Sequence, residues 1–122
     1  MLHMVYRIEL TDEAERYPQA FWTWLQEREQ WFYDGLDTVL ATRWTVRTIG
    51  ERVHTLEHTV TFADEAAWGQ YRRAVSQRSR DPVWEKRRTE QTRWWRLLDA
   101  ALLSDPPVSL GFDRTRKAAA DS

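Results

Sequence analysis

Hydrophobic and polar positions alternate along the chain in two different periods. From Met4 to Leu10 they alternate residue by residue, with Met4, Tyr6, Ile8 and Leu10 on one side and His3, Val5, Arg7 and Glu9 on the other. This predicts a half-buried strand. "TDEAERYPQ" follows as a polar connector. From Pro18 the period becomes helical: Phe21, Trp24, Leu25, Arg28, Phe32 and Leu36 form a stripe, with Trp31 and Tyr33 flanking it. Pro18 suits a first helical position and Gly35 a left-handed stop. Residues 38–48 return to strand alternation, with Leu40, Thr42, Trp44 and Val46 opposed to Val39, Ala41, Arg43, Thr45 and Arg47. After the short connection "IGER", residues 53–62 alternate again. His54, Leu56, His58, Val60 and Phe62 share one face, and three threonines on the other, Thr55, Thr59 and Thr61, favour a sheet. The two segments predict an antiparallel hairpin.

Asp64 predicts the N-cap of a second helix with Trp68, Tyr71, Arg72 and Val75 on its stripe. "SQRSR" interrupts it and "DPVW" restarts it, with Asp81 as cap and Pro82 in the first turn. "TRWWRLLDAALL" is ambiguous by periodicity. The architecture lacks a closing strand, so a strand from Thr92 to about Leu98 is expected, with Trp94 and Trp95 on opposite faces. Pro106-Pro107 stops it. Residues 1–104 thus form one domain, and 105–122 a C-terminal extension whose end, "RTRKAAADS", is expected to be disordered. The element order, β-α-β-β-α-(α)-β, is the split βαβ or ferredoxin-like pattern. It is an α+β fold with a four-stranded antiparallel sheet and helices on one face. The other face, with Val39, Ala41, Val53 and the threonines, is bare in a monomer. A homodimer packed sheet on sheet is therefore expected.

Composition narrows the chemistry. At 122 residues with eight tryptophans, one aromatic-rich core is expected. The absence of cysteine excludes disulfides, thiolate metal sites and cysteine nucleophiles. No basic, apolar leader and no span of about 20 apolar residues is visible, so a cytoplasmic protein away from membranes is expected. The net charge of −1 hides an asymmetry. Acids dominate the first forty residues, and residues 72–96 carry eight arginines and Lys86. This segment reads as a pair of solvated helices or as a surface for an anionic ligand. The acidic front half argues against nucleic acid.

The element order, the third strand running straight into a helix in "LEHTVTFADEAAWGQYRRAV", and the "DPVW" restart together resemble the dimeric α+β barrel superfamily. This superfamily includes antibiotic-biosynthesis monooxygenase-like domains, NIPSNAP-like proteins and small polyketide cyclases. The resemblance covers residues 3–103 and implies a homodimer with a pocket between each sheet and its helices. In the enzyme members that pocket hosts oxygenation or cyclisation of aromatic polyketides, haem degradation or related chemistry, many without a cofactor.

On this footing His58 is a candidate general base, or a haem ligand in the alternative haem-binding reading. Its other reading is a hydrogen-bonded core histidine. His54 shares its face. At strand spacing the two lie about 13 Å apart, too far to share one metal ion. Arg28 sits on an apolar stripe, either snorkelling to the edge or anchoring an acidic substrate. Tyr6 faces the same interior. Trp24, Trp44, Trp68 and Trp84, with Trp94, are expected in the sheet–helix layer, walling a cavity for a flat aromatic ligand or filling the core. Arg7, Arg43, Arg47 and Glu57 are expected as ion pairs on the dimer face. The leading expectation is a cofactor-free enzyme acting on an aromatic or polycyclic small molecule in specialised metabolism, by cyclisation or oxygenation. His58 would shift a proton, and Arg28 or Tyr6 would steady an enolate or phenolate oxygen. The further alternative is a non-catalytic ligand-binding protein.

Overall fold

The structure, a computed structural model, describes residues 1–115. Four strands, β1 (Leu2–Leu10), β2 (Ala41–Val46), β3 (Leu56–Phe62) and β4 (Trp95–Ser104), form one antiparallel sheet in the order β2-β3-β1-β4. The helices are α1 (Asp12–Arg16), α2 (Pro18–Tyr33), α3 (Glu65–Arg78) and α4 (Pro82–Thr89). A 3-10 turn, Glu90–Arg93, precedes β4. The α+β, ferredoxin-like reading stands.

The two central strands read as expected. In β3, Leu56, His58, Val60 and Phe62 are all buried and the residues between them half-buried. β1 pairs with it through Tyr6 opposite His58 and Met4 opposite Val60, so the predicted inner faces coincide. Phe21, Leu25, Arg28 and Phe32 of α2 are the buried residues of that helix, as its stripe demands. Asp64 and Asp81 cap α3 and α4 by accepting from Ala67 and Val83 backbone N–H groups. Gly35 adopts a left-handed φ of 76° just after α2. Any Cβ there would stand 2.8 Å from the Arg78 guanidinium, which donates to the Phe32 carbonyl at the helix end.

The sheet departs from expectation at its connections. The link between β2 and β3 is long, because Arg52 and His54 take positive φ and carry the chain out of the ladder before Leu56. α1 occupies part of the expected polar connector: Thr11 caps it and buries Ala14. β4 starts and ends later than expected. Its register against β1 slips between Arg7 and Ile8: Arg7 faces Asp99 but Ile8 faces Leu97, so Leu98 is bulged. The slip moves odd-numbered residues of early β4 to the inner face. Trp94 and Trp95 therefore do not divide between the faces. Trp94 ends the 3-10 turn, Trp95 starts the strand, and both are buried against Phe21 and Trp24.

The outer sheet face carries Val5, Ala41, Thr45, Thr59 and Ala101, crossed by the ion pairs Arg7–Asp99 and Arg47–Glu57. Val39 is not part of that face; it packs on the Leu2–Val60–Phe62 cluster. Val53 lies in the long connection. The expected disorder covers residues 114–122, of which 116–122 lie outside the described residues.

Candidate active site

A cavity of about 210 Å³ lies between the inner sheet face and the helices. Tyr6, Ile8 and His58 come from the central strands, Arg28, Phe32 and Tyr33 from α2, Tyr71 and Val75 from α3, and Trp95 and Leu97 from β4. Arg88 and Gln91 complete its rim.

His58 is 4% exposed and both its ring nitrogens are engaged. Nδ1 lies 3.3 Å from the Arg43 carbonyl oxygen, which can only accept, so Nδ1 carries the proton. Nε2 then accepts from the Tyr33 hydroxyl at 2.7 Å. Burial lowers the His58 pKa to about 3; the Arg28 charge adds to this, and the Arg43 carbonyl opposes it. Burial likewise raises the Tyr33 and Tyr71 pKa values far above the ordinary phenol range. The resting dyad is thus neutral imidazole and neutral phenol.

Arg28 is 6% exposed, so the snorkelling reading fails. Its guanidinium lies over the Phe32 ring at 4.2 Å and near Trp95 at 5.3 Å. These contacts hold the group flat, but its Nε and Nη1 have no hydrogen-bond acceptor. Glu29 stands 3.8 Å from Nη1, beyond hydrogen-bond reach. Its two oxygens are taken by the Thr42 hydroxyl and the Trp44 indole N–H, each at 2.7 Å. The cavity wall therefore carries a buried cation that pairs with Glu29 at 3.8 Å but keeps Nε and Nη1 free of any hydrogen bond. The Tyr6 and Tyr71 hydroxyls line the same space and make no hydrogen bond within the described residues.

Of the residues expected at the site, His58, Arg28 and Tyr6 meet in this cavity. Trp44 stands behind it, stacked on His58. The expected tryptophan wall is otherwise corrected. Trp24 packs on Phe21, Trp94 and Trp95 in the core. Trp68 lies under the Arg72 guanidinium, and Trp84 packs on Trp31 and Phe32; neither lines the cavity. His54 is exposed in the connection before β3 and does not line it either. The principal residue missed from sequence is Tyr33. Its only signal was its place beside the α2 stripe.

Among the described residues no three potential metal ligands cluster, and no helix is long and apolar enough to cross a membrane. The residues do not fit a haem. The His58 nitrogen an iron would need is hydrogen-bonded to Tyr33, and the other is engaged by the Arg43 carbonyl.

No family model and no curated protein matches the chain. Solved structures do. The chain is similar to HapK from Hahella chejuensis, with a TM-score of 0.61 and 16% identity over 93% of this chain and 100% of that one. It is similar to At3g17210 from Arabidopsis thaliana, with a TM-score of 0.58 and 15% identity over 92% of this chain and 100% of that one. A Bacteroides thetaiotaomicron protein named as an antibiotic biosynthesis monooxygenase aligns with a TM-score of 0.52 and 17% identity, over 93% of this chain and 95% of that one. These likenesses establish the fold alone, a ferredoxin-like α+β architecture.

Proposed function

We propose that the chain is a small cofactor-free enzyme that removes a proton from a phenol, enol or activated carbon of an aromatic small molecule. The observation that carries this reading is the unsatisfied Arg28 guanidinium facing the same cavity as the Tyr33–His58 pair. A ligand that becomes an anion beside Arg28 supplies the acceptor that Nε and Nη1 lack.

The route of the proton follows from the hydrogen bonds. Neither His58 nitrogen is open to a ligand, so Tyr33 receives the ligand's proton while passing its own to Nε2. Tyr33 ends unchanged, His58 becomes imidazolium, and the ligand becomes an oxyanion held by Arg28. An anion beside His58 offsets the Arg28 charge, one of the two causes of its low pKa, and raises its basicity. Free hydroxyls on Tyr6 and Tyr71 donate to further ligand oxygens. The resulting carbanion or phenolate can close a ring on a carbonyl or react with oxygen, so cyclisation and oxygenation share this first step. The name of the Bacteroides protein supports the second. The size of the cavity favours a single ring in its closed part over a polycycle.

In this reading the domain is residues 1–104, a homodimer through the outer sheet face, working in the cytoplasm in specialised metabolism. The test is hydrogen–deuterium exchange at the ring carbons of resorcinol in D₂O, followed by proton NMR. Wild-type protein is expected to accelerate exchange, and Tyr33→Phe and Arg28→Gln to return it towards the buffer rate. Exchange at the buffer rate with wild-type protein would leave only a non-catalytic binding protein.

A further inference from the structure

The cavity opens into a groove of about 320 Å³ on the α3 side. The two share Tyr6, Tyr71, Val75 and Arg88, so they form one continuous space. The groove adds Arg72, Ser76 and Ser79. Its chemistry differs from that of the cavity: two guanidinium groups and two hydroxyls replace the aromatic wall.

Both arginines are held in place. Arg88 is clamped by Glu85, which accepts from Nε and Nη2 and leaves Nη1 unengaged. Arg72 lies with its guanidinium carbon 5.0 Å over the Trp68 ring and forms no ion pair among the described residues. Glu85 compensates one charge, and nothing compensates the other. Arg73 and Arg80 border the neighbouring groove around Ser76, which extends the positive surface outward. Arg72 is exposed and Arg88 half-buried, and both line the groove beside the cavity, where a ligand longer than one ring can reach them.

We propose that this groove is a second subsite for an anionic tail, so that the preferred substrate is a single phenolic or enolic ring joined by a spacer to a carboxylate or phosphate. The inference rests on the proposed function for the position of the ring. Arg28 takes the oxygen that becomes charged, and Arg72 with Arg88 takes the charge already present at the far end.

Quenching of tryptophan fluorescence reads binding of three probes: para-butylphenol, the same phenol with its chain ending in a carboxylate, and the same chain ending in a phosphate monoester. Trp95 in the cavity wall supplies the signal. The tailed probes are expected to bind about fivefold or more tighter than para-butylphenol, as charge-assisted contacts allow. Arg72→Ala is expected to erase that advantage and leave para-butylphenol unchanged. Equal binding of all three to wild-type protein, weakened throughout by Arg28→Gln, would overturn the tail subsite and leave the ring site standing. Failure of all three to bind would remove the ring site, and the tail subsite with it.

Discussion

Trp44 lies flat on His58, with ring centroids 3.8 Å apart and planes 16° apart. The same indole donates its N–H to Glu29. One residue of β2 thus packs on the imidazole and shares with Arg28 the Glu29 oxygen that stands 3.8 Å from the guanidinium. Trp44→Phe preserves much of the stack and releases one Glu29 oxygen towards Arg28. We expect it to weaken binding of a phenol probe several-fold with little change in thermal stability. Unchanged affinity would mean that Glu29 does not compete for Arg28.

His58 predicts a specific pH dependence of stability. Its folded pKa of about 3 lies below the ordinary value of 6.5, so between these values the unfolded chain binds a proton that the folded chain refuses. Stability from this group is complete above pH 6.5 and is lost as pH falls towards 3. Between pH 6.5 and 5 ordinary carboxylates stay charged, so a drop in urea midpoint there reports the imidazole. His58→Gln is expected to flatten that part of the profile. A flat wild-type profile over the same window contradicts the buried neutral imidazole.

Tyr33→Phe removes the donor to Nε2 and the path for the proton. Leaving a buried acceptor unsatisfied costs about 1–3 kcal/mol, which a denaturation midpoint will show. Exchange at the ring carbons of resorcinol is expected to fall by about 10²–10⁴ if wild-type catalysis is fully developed. Retention of full activity would place the proton route elsewhere.

The outer sheet face predicts assembly. Ala101 lies opposite Val5 on that face. Ala101→Arg is expected to convert a dimer to a monomer in sedimentation equilibrium, because a guanidinium cannot be accommodated in a close sheet-to-sheet contact. A wild-type monomer would refute the sheet interface, and so would a mutant that stays dimeric.

Legibility in the sequence followed the range of each signal. The alternation of Leu56, His58, Val60 and Phe62 is local and was read correctly, as was Arg28 on its helical stripe. The pairing of Tyr33 with His58 joins positions 25 apart through tertiary packing, and no period reports such a contact. His54 fits the same alternation but lies past the end of the ladder, where positive φ at Arg52 and His54 breaks it. Tryptophan number misled, since large rings fill core space as readily as they wall a cavity.

The slipped register of β4 has a consequence for how this site varies by descent. Without the bulge at Leu98, Leu10 would face Arg96 in place of Trp95, and Ile8 would face Leu98 in place of Leu97. Straightening the strand with Leu98 retained would thus exchange an indole in the cavity wall for a guanidinium, whereas deletion of Leu98 would keep Trp95 and Leu97 where they are. Ligand preference can therefore turn over through changes that make or flatten one bulge in a peripheral strand, ahead of any substitution at His58 or Arg28.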